Sequence, residues 1–225
     1  MTLRNCVYLL LAIMVLPAAG CRGSGPAAVE IRPTPISAEP GPEGGGSPDQ
    51  GGGVGRVIAL RLWTQRSDEF DAAYQALAGA YEAANPGVTV TLESFDVATY
   101  GRLLKDALQA GTAADVIQMT GSTLCIYSPN LAPAPEPILA LNPQEMFDPV
   151  LLGGFVCDGA LYGLPQEPRV PWGLAVSNPA AVDGSENVGN VSVAWDFVRF
   201  ATLDPTAAAE WNAATGTTTA RNNDE

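Results

Sequence analysis

Residues Gly101 to Thr123, GRLLKDALQAGTAADVIQMTGST, decide the fold. Leu103, Leu104, Ala107 and Leu108 share one face of a helix that continues from Tyr100, and Gly111 stops it. The short β-branched run Asp115 to Met119 then reads as a strand, and Thr120 to Thr123 as a polar tip beyond it. In an open parallel sheet, ligands gather past the carboxyl ends of strands, so this tip is the first candidate for a binding edge. Asp115 lies at the other end of the strand and reads as a turn or capping residue.

Working upstream, the same alternation repeats. Val57 to Trp63 (VIALRLW) is nearly continuous in apolar residues, which suits a strand covered on both faces. Ser67 stands at an N-cap position, with Asp68 and Glu69 in the first turn, where they favour the positive end of the helix dipole. Phe70, Ala73, Tyr74, Leu77, Ala78 and Tyr81 form one apolar helix face, which Asn85-Pro86-Gly87 ends. Val88, Val90 and Leu92 alternate with Thr89 and Thr91 in a second strand, and Asp96 is placed to cap the next helix. The order β-α-β-α-β with short connections predicts parallel strands and right-handed crossovers.

Downstream the pattern loosens. Ser128 to Pro137 carries four prolines and reads as irregular. Leu139 to Leu141 is compatible with a short strand and Pro143 to Leu152 with a short helix. Asp158-Gly159 between two apolar runs predicts a tight hairpin. Pro165 to Val176 ends in a strand-like stretch, followed by a break at Ser177-Asn178-Pro179 and a polar loop over 183–189. Ser192 is placed to cap one helix, Asp204-Pro205 opens another that runs to about Ala214, and Gly216 ends it. Residues 217–225 read as a frayed tail.

Composition narrows the function. The 225 residues carry 11 basic and 24 acidic side chains and no histidine. Without histidine, Ser-His-Asp and Cys-His catalysis are impossible, and the commonest metal ligand is missing. No catalytic residue, metal ligand or cofactor is assigned. A carboxylate pair such as Asp158 and Glu167 is the remaining option for an enzyme, and Asp158 is better explained by the hairpin turn.

Val7 to Leu16 is an apolar run preceded by Arg4 and followed by Pro17-Ala18-Ala19-Gly20-Cys21, the layout of an export signal over residues 1–20. LPAAGC resembles the lipobox of bacterial lipoproteins, which implies lipidation at Cys21; an ordinary signal cut near Gly20 is the alternative. Loss of residues 1–20 removes Arg4 and no acid, leaving ten basic against 24 acidic side chains, a net charge of −14. Such a surface repels nucleic acid and anionic headgroups. Residues 21–55 are rich in Pro, Gly and Ser and read as a disordered tether. Cys125 and Cys157 then remain, either as a disulfide in an oxidising compartment or as two buried thiols.

Taken in order, the lipobox, the glycine-rich tether, RVIALRLW, YEAANPGVTVTLESF, the run from Tyr100 to Val116 and DGALYGLP (Asp158 to Pro165) resemble the extracellular solute-binding proteins of ABC importers, in the large sugar-type group. The resemblance implies an α/β, periplasmic-binding-protein-like lobe over residues 56–216, with a mainly parallel sheet flanked by helices. It also implies a small solute, a sugar, as ligand, ABC permease subunits as partners, and a position outside the cytoplasm on a lipid anchor. In the family two such lobes close on ligand. Here the chain reaches Ser177-Asn178, where the family crosses to its second lobe, and after a short loop resumes at AWDFVRFATLDPTAAAEWNAATG (Ala194 to Gly216), which resembles helices of the first. The implied molecule is shortened to about one lobe; a non-transporting paralogue serving as a scaffold, or a degenerate product, is the alternative.

By position, the family's ligand-contacting loops fall on Trp63, Gln65 and Ser67; on Thr120, Gly121 and Ser122; and on Glu167, Arg169 and Trp172. These residue types suit a carbohydrate, whose hydroxyls meet amides and carboxylates and whose C–H faces meet indoles. Each also has a plainer reading. Trp63 is equally a core residue, Ser67 a cap, and Glu167 with Arg169 a solvated ion pair. Trp172, between Pro171 and Gly173, reads as a loop aromatic open to ligand, whereas Trp195 and Trp211 read as packing groups.

Overall fold

A computed structural model of the chain describes residues 57–168, 171–183 and 190–221. The export signal, Cys21, the tether 21–55, Arg169, most of the polar loop before α8 and residues 222–225 lie outside the described residues.

The chain opens as read from the sequence. Strand β1 (Ile58–Gln65), helix α1 (Asp68–Ala84), β2 (Val88–Phe95), α2 (Val97–Ala110) and β3 (Val116–Thr120) follow one another with short links. β1 lies in the middle, parallel to β2 on one side and to β3 on the other. Because the two crossovers step in opposite directions and share one hand, α1 and α2 fall on opposite faces of the sheet. Gly111 ends α2 in the left-handed conformation (φ 69°), which a residue without Cβ adopts without strain.

After β3 come α3 (Gly121–Tyr127), a 3₁₀ turn (Ser128–Asn130), α4 (Glu136–Leu139), α5 (Pro143–Met146) and α6 (Pro149–Gly153). Two readings change here. Of the tip, Thr120 ends β3 and Gly121 to Thr123 start a helix, and Leu139 to Leu141 is no strand. Pro137 stands in the first turn of α4, where a missing N–H costs nothing, so the segment turns helical.

Strands β4 (Val156–Cys157) and β5 (Ala160–Leu161) form the expected hairpin, with Asp158 (φ 51°) and Gly159 (φ 81°) both left-handed in its turn. β6 (Gly163–Pro165) and β7 (Trp172–Val176) complete the main sheet, ordered β2-β1-β3-β7-β6. β7 runs antiparallel to both β3 and β6. Only residues 166–171 connect β6 to β7, too few for a parallel crossover, so the return must be antiparallel. Four of the five strands still point the same way, and the sheet is mostly parallel.

α7 (Ala180–Asp183) leads towards α8 (Val191–Leu203) and α9 (Pro205–Thr215). Asn190, not Ser192, occupies the N-cap position of α8. Asp204 caps α9 as expected, accepting from the Thr206 N–H at 2.8 Å. α8 and α9 pack with α1 over one face of the sheet, where Tyr81 meets Phe197 edge-on at 5.2 Å and Trp195 and Trp211 are each 1% exposed. Asp115 cross-links strands rather than capping a turn: one carboxylate oxygen accepts from the Arg61 N–H at 2.8 Å, the other from Asn190 Nδ2 at 3.3 Å.

Candidate functional site

The carboxyl edge of the sheet is held in register by one buried amide. Gln118, on β3 and 2% exposed, accepts the Gln65 N–H at 2.8 Å and directs its Nε2 to Tyr74 Oη at 3.4 Å. The Tyr100 hydroxyl sits within 2.8 Å of the Gln118 carbonyl and 3.1 Å of the Trp63 carbonyl. Gln118 therefore ties β1 and β3 to α1 and α2, a role that its place in an apolar strand signals, since a buried amide must be satisfied. Burial pushes the Tyr74 and Tyr100 hydroxyls well above the usual phenol range; for Tyr74 the Gln118 contact opposes that and the Glu167 and Asp71 carboxylates add to it.

The expected contact residues divide. Trp63 is 6% exposed, packs edge-on against Phe95 at 5.1 Å and lies under the Arg61 guanidinium at 5.0 Å, so it is a packing group beside the edge. Ser67 occupies the N-cap position of α1 without a side-chain cap bond; its carbonyl accepts the Asp71 N–H at 2.7 Å. The Thr120 hydroxyl is engaged by Thr123 Oγ1 at 2.9 Å and Ser122 Oγ at 3.2 Å. Gly121 donates its N–H to the Pro171 carbonyl at 2.9 Å, and a Cβ there would lie 3.0 Å from Gly154 Cα. It is glycine because α3 and α6 meet backbone to backbone.

Glu167 is 1% exposed, which rules out a solvated ion pair for it, and its Oε2 accepts from Thr217 Oγ1 at 3.4 Å. Trp172 is the first residue of β7, paired with Thr120, rather than a loop aromatic. It opens an aromatic series: Trp172 to Phe70 edge-on at 5.8 Å, Phe70 stacked on Trp211 at 5.5 Å, Trp211 edge-on to Tyr74 at 5.3 Å. The Trp211 indole N–H reaches Thr217 Oγ1 at 3.3 Å, joining this series to Glu167.

Beside these residues lies a cleft of about 650 Å³, within the range of small-ligand sites. Gly121, Ser122, Asp148 and Leu151 line it together with Pro168, Pro171 and the segment after α9. Trp63, Gln65 and Ser67 are not in its lining. That later segment contradicts the expected fraying as far as Arg221. Thr219 and Ala220 are each 5% exposed, the Ala220 N–H donates to the Gln166 carbonyl at 3.1 Å, and Arg221 bridges to Phe147. Cys125 and Cys157 are joined by a disulfide that pins α3 to β4. Among the described residues no cluster of His, Cys, Asp and Glu is placed to hold a metal, and no helix is long and apolar enough to cross a membrane.

No family model and no curated protein matches the chain. Solved structures do. A family 1 extracellular solute-binding protein from Alicyclobacillus acidocaldarius is 22% identical, with a TM-score of 0.43, over 50% of this chain and 28% of its own. The GacH receptor of Streptomyces glaucescens, solved unliganded and with acarbose, is 23% identical, with a TM-score of 0.45, over 49% of this chain and 29% of its own. A chitin oligosaccharide binding protein is 24% identical, with a TM-score of 0.44, over 49% and 29%. The chain is thus similar, over about half its length, to extracellular solute-binding proteins, and the matched stretch spans less than a third of each of theirs.

Proposed function

We propose that this chain is a solute-binding lobe displayed outside the cytoplasmic membrane, taking a carbohydrate in the cleft beside Gly121 and Ser122. The observation that carries the reading is that cleft: it opens at the carboxyl edge of a mostly parallel sheet, where helix starts and loops converge. Among the described residues, the two charged groups in its lining are already engaged. The Asp148 carboxylate accepts the Val150 and Leu151 N–H groups at 2.8 and 3.2 Å, and an Arg221 guanidinium N–H donates to the Leu203 carbonyl at 3.0 Å. A neutral, hydroxyl-bearing solute fits such a lining better than an ion. The edge residues proposed to serve it are Thr120, Gly121, Ser122, Glu167, Arg169 and Trp172, with Gln65 and Ser67 on the flank.

In this reading Cys21 carries the lipid, residues 21–55 form the tether, and permease subunits receive the solute. Where one lobe acts alone, ligand stays partly in water, so binding by this chain is expected in the millimolar to high micromolar range. The engagement of Trp63 by Phe95 and of Trp172 by Phe70 favours a second reading, a scaffold that has lost uptake, because those rings are spent on packing. Calorimetric titration of the protein with maltotriose, chitobiose and mannotriose separates the two. Saturable heat with one sugar supports the first, and none up to 10 mM, about the weakest binding worth counting, leaves the second.

A further inference from the structure

We propose that Thr217–Arg221 is a fixed wall of the cleft, completing in cis a site that the sheet edge alone leaves open. The proposal rests on the solute-binding reading for its ligand and on the geometry of this segment for its form. Thr218, Thr219, Ala220 and Arg221 line the cleft together with Gly121 and Ser122. The segment is fastened at successive points. Thr217 Oγ1 contacts Glu167 Oε2 and Trp211 Nε1, the Ala220 N–H holds the Gln166 carbonyl, Arg221 bridges to Phe147, and the Arg221 guanidinium holds the Leu203 carbonyl. Gln166 is itself fixed, 0% exposed, with Nε2 on the Ala201 carbonyl at 3.1 Å. A segment tied at this many points behaves as part of the framework, not as a lid. Thr218 is the exposed residue of the row, and it presents an uncharged hydroxyl to the cleft. The wall therefore selects for a neutral polyhydroxylated solute and sets how long that solute can be.

Two measurements on the full chain test this. Without any ligand, trypsin should cut after Arg221 at least tenfold more slowly in the parent than in Ala220→Pro, which loses the N–H to Gln166; slow cutting at Arg199, inside α8, confirms that the variant stays folded. Equal rates at Arg221 overturn the wall whatever the sugars do. With a sugar that the parent binds, Thr218→Trp should weaken binding at least tenfold at unchanged Tm. Unchanged binding in Thr218→Trp, or tighter binding in Ala220→Pro, overturns the wall, the latter showing a segment that competes with ligand. A parent that binds no sugar yet resists trypsin at Arg221 sinks the carbohydrate reading and leaves the wall standing.

Discussion

Replacing Gly173 with alanine tests the packing that aims the ligand edge. Gly173 is the second residue of β7, between β3 and β6, and pairs with Met119 on one side and Pro165 on the other. A Cβ there would overlap the Leu164 carbonyl oxygen and lie 2.5 Å from Cε1 and Cζ of the Phe155 ring. Carbon atoms rest at about 3.5 to 4.0 Å, so the ring contact alone is short by roughly 1 Å. Neither neighbour yields easily, since the carbonyl is backbone in the sheet and Phe155 is 0% exposed. Overpacking typically costs about 1–3 kcal/mol, and two simultaneous overlaps place this substitution near the upper end, about 3 kcal/mol. For a domain of this size that corresponds to a Tm lower by about 6–12 °C. Urea unfolding of Gly173→Ala, Phe155→Leu and the double variant isolates the ring. The double variant should be more stable than the sum of the single losses by about 1 kcal/mol. A Gly173→Ala loss below about 0.5 kcal/mol, or strict additivity in the double variant, refutes the reasoning.

Alkaline pH and reduction should also weaken the fold. The Tyr74, Tyr81 and Tyr100 hydroxyls are all raised, chiefly by burial, with Asp196 adding to the effect on Tyr81. A phenol whose folded pKa exceeds its unfolded value near 10 contributes stability that is whole below about pH 10 and lost as pH rises beyond it. Tyrosinate absorbance at 295 nm should therefore include a component that appears only with loss of helical circular dichroism; full ionisation of all tyrosines before unfolding would contradict this. Reducing Cys125–Cys157, 32 residues apart, should cost about 3–4 kcal/mol by loop entropy. Urea midpoints that coincide with and without reductant would contradict it.

The first half of the fold was readable because its signals are local. From β1 to β3 the apolar periodicity, Pro86 and the left-handed Gly111 all lie within a few residues of what they control. The later errors share the opposite cause. Trp172 looks like a loop residue until Thr120, far away in sequence, supplies its strand partner. The tail looks frayed because nothing local in TTTA marks it for burial; its partners are Gln166, Phe147 and Leu203. Proline misled at α4, where it begins a helix instead of preventing one. At the candidate site the sequence proposed Gly121 and Ser122 for a ligand edge, and they line the cleft, but it could not reveal that Trp63 turns to Phe95, or that Gln118 organises the edge. Both depend on contacts between elements.

The outer margin of β2 has a further consequence. The bonds Ile58 N–H to Gly87 and Arg66 N–H to Phe95 point odd-numbered carbonyls of β2 at β1, so the even-numbered groups face outward. Of these, the Val90 N–H is taken by Glu82 at 2.6 Å and the Ser94 carbonyl by Arg66 at 3.0 Å. At the opposite margin β6 has only three residues, the last a proline. Copies crowded together thus collide side-on without zipping into a shared ribbon, a safeguard against fibre growth.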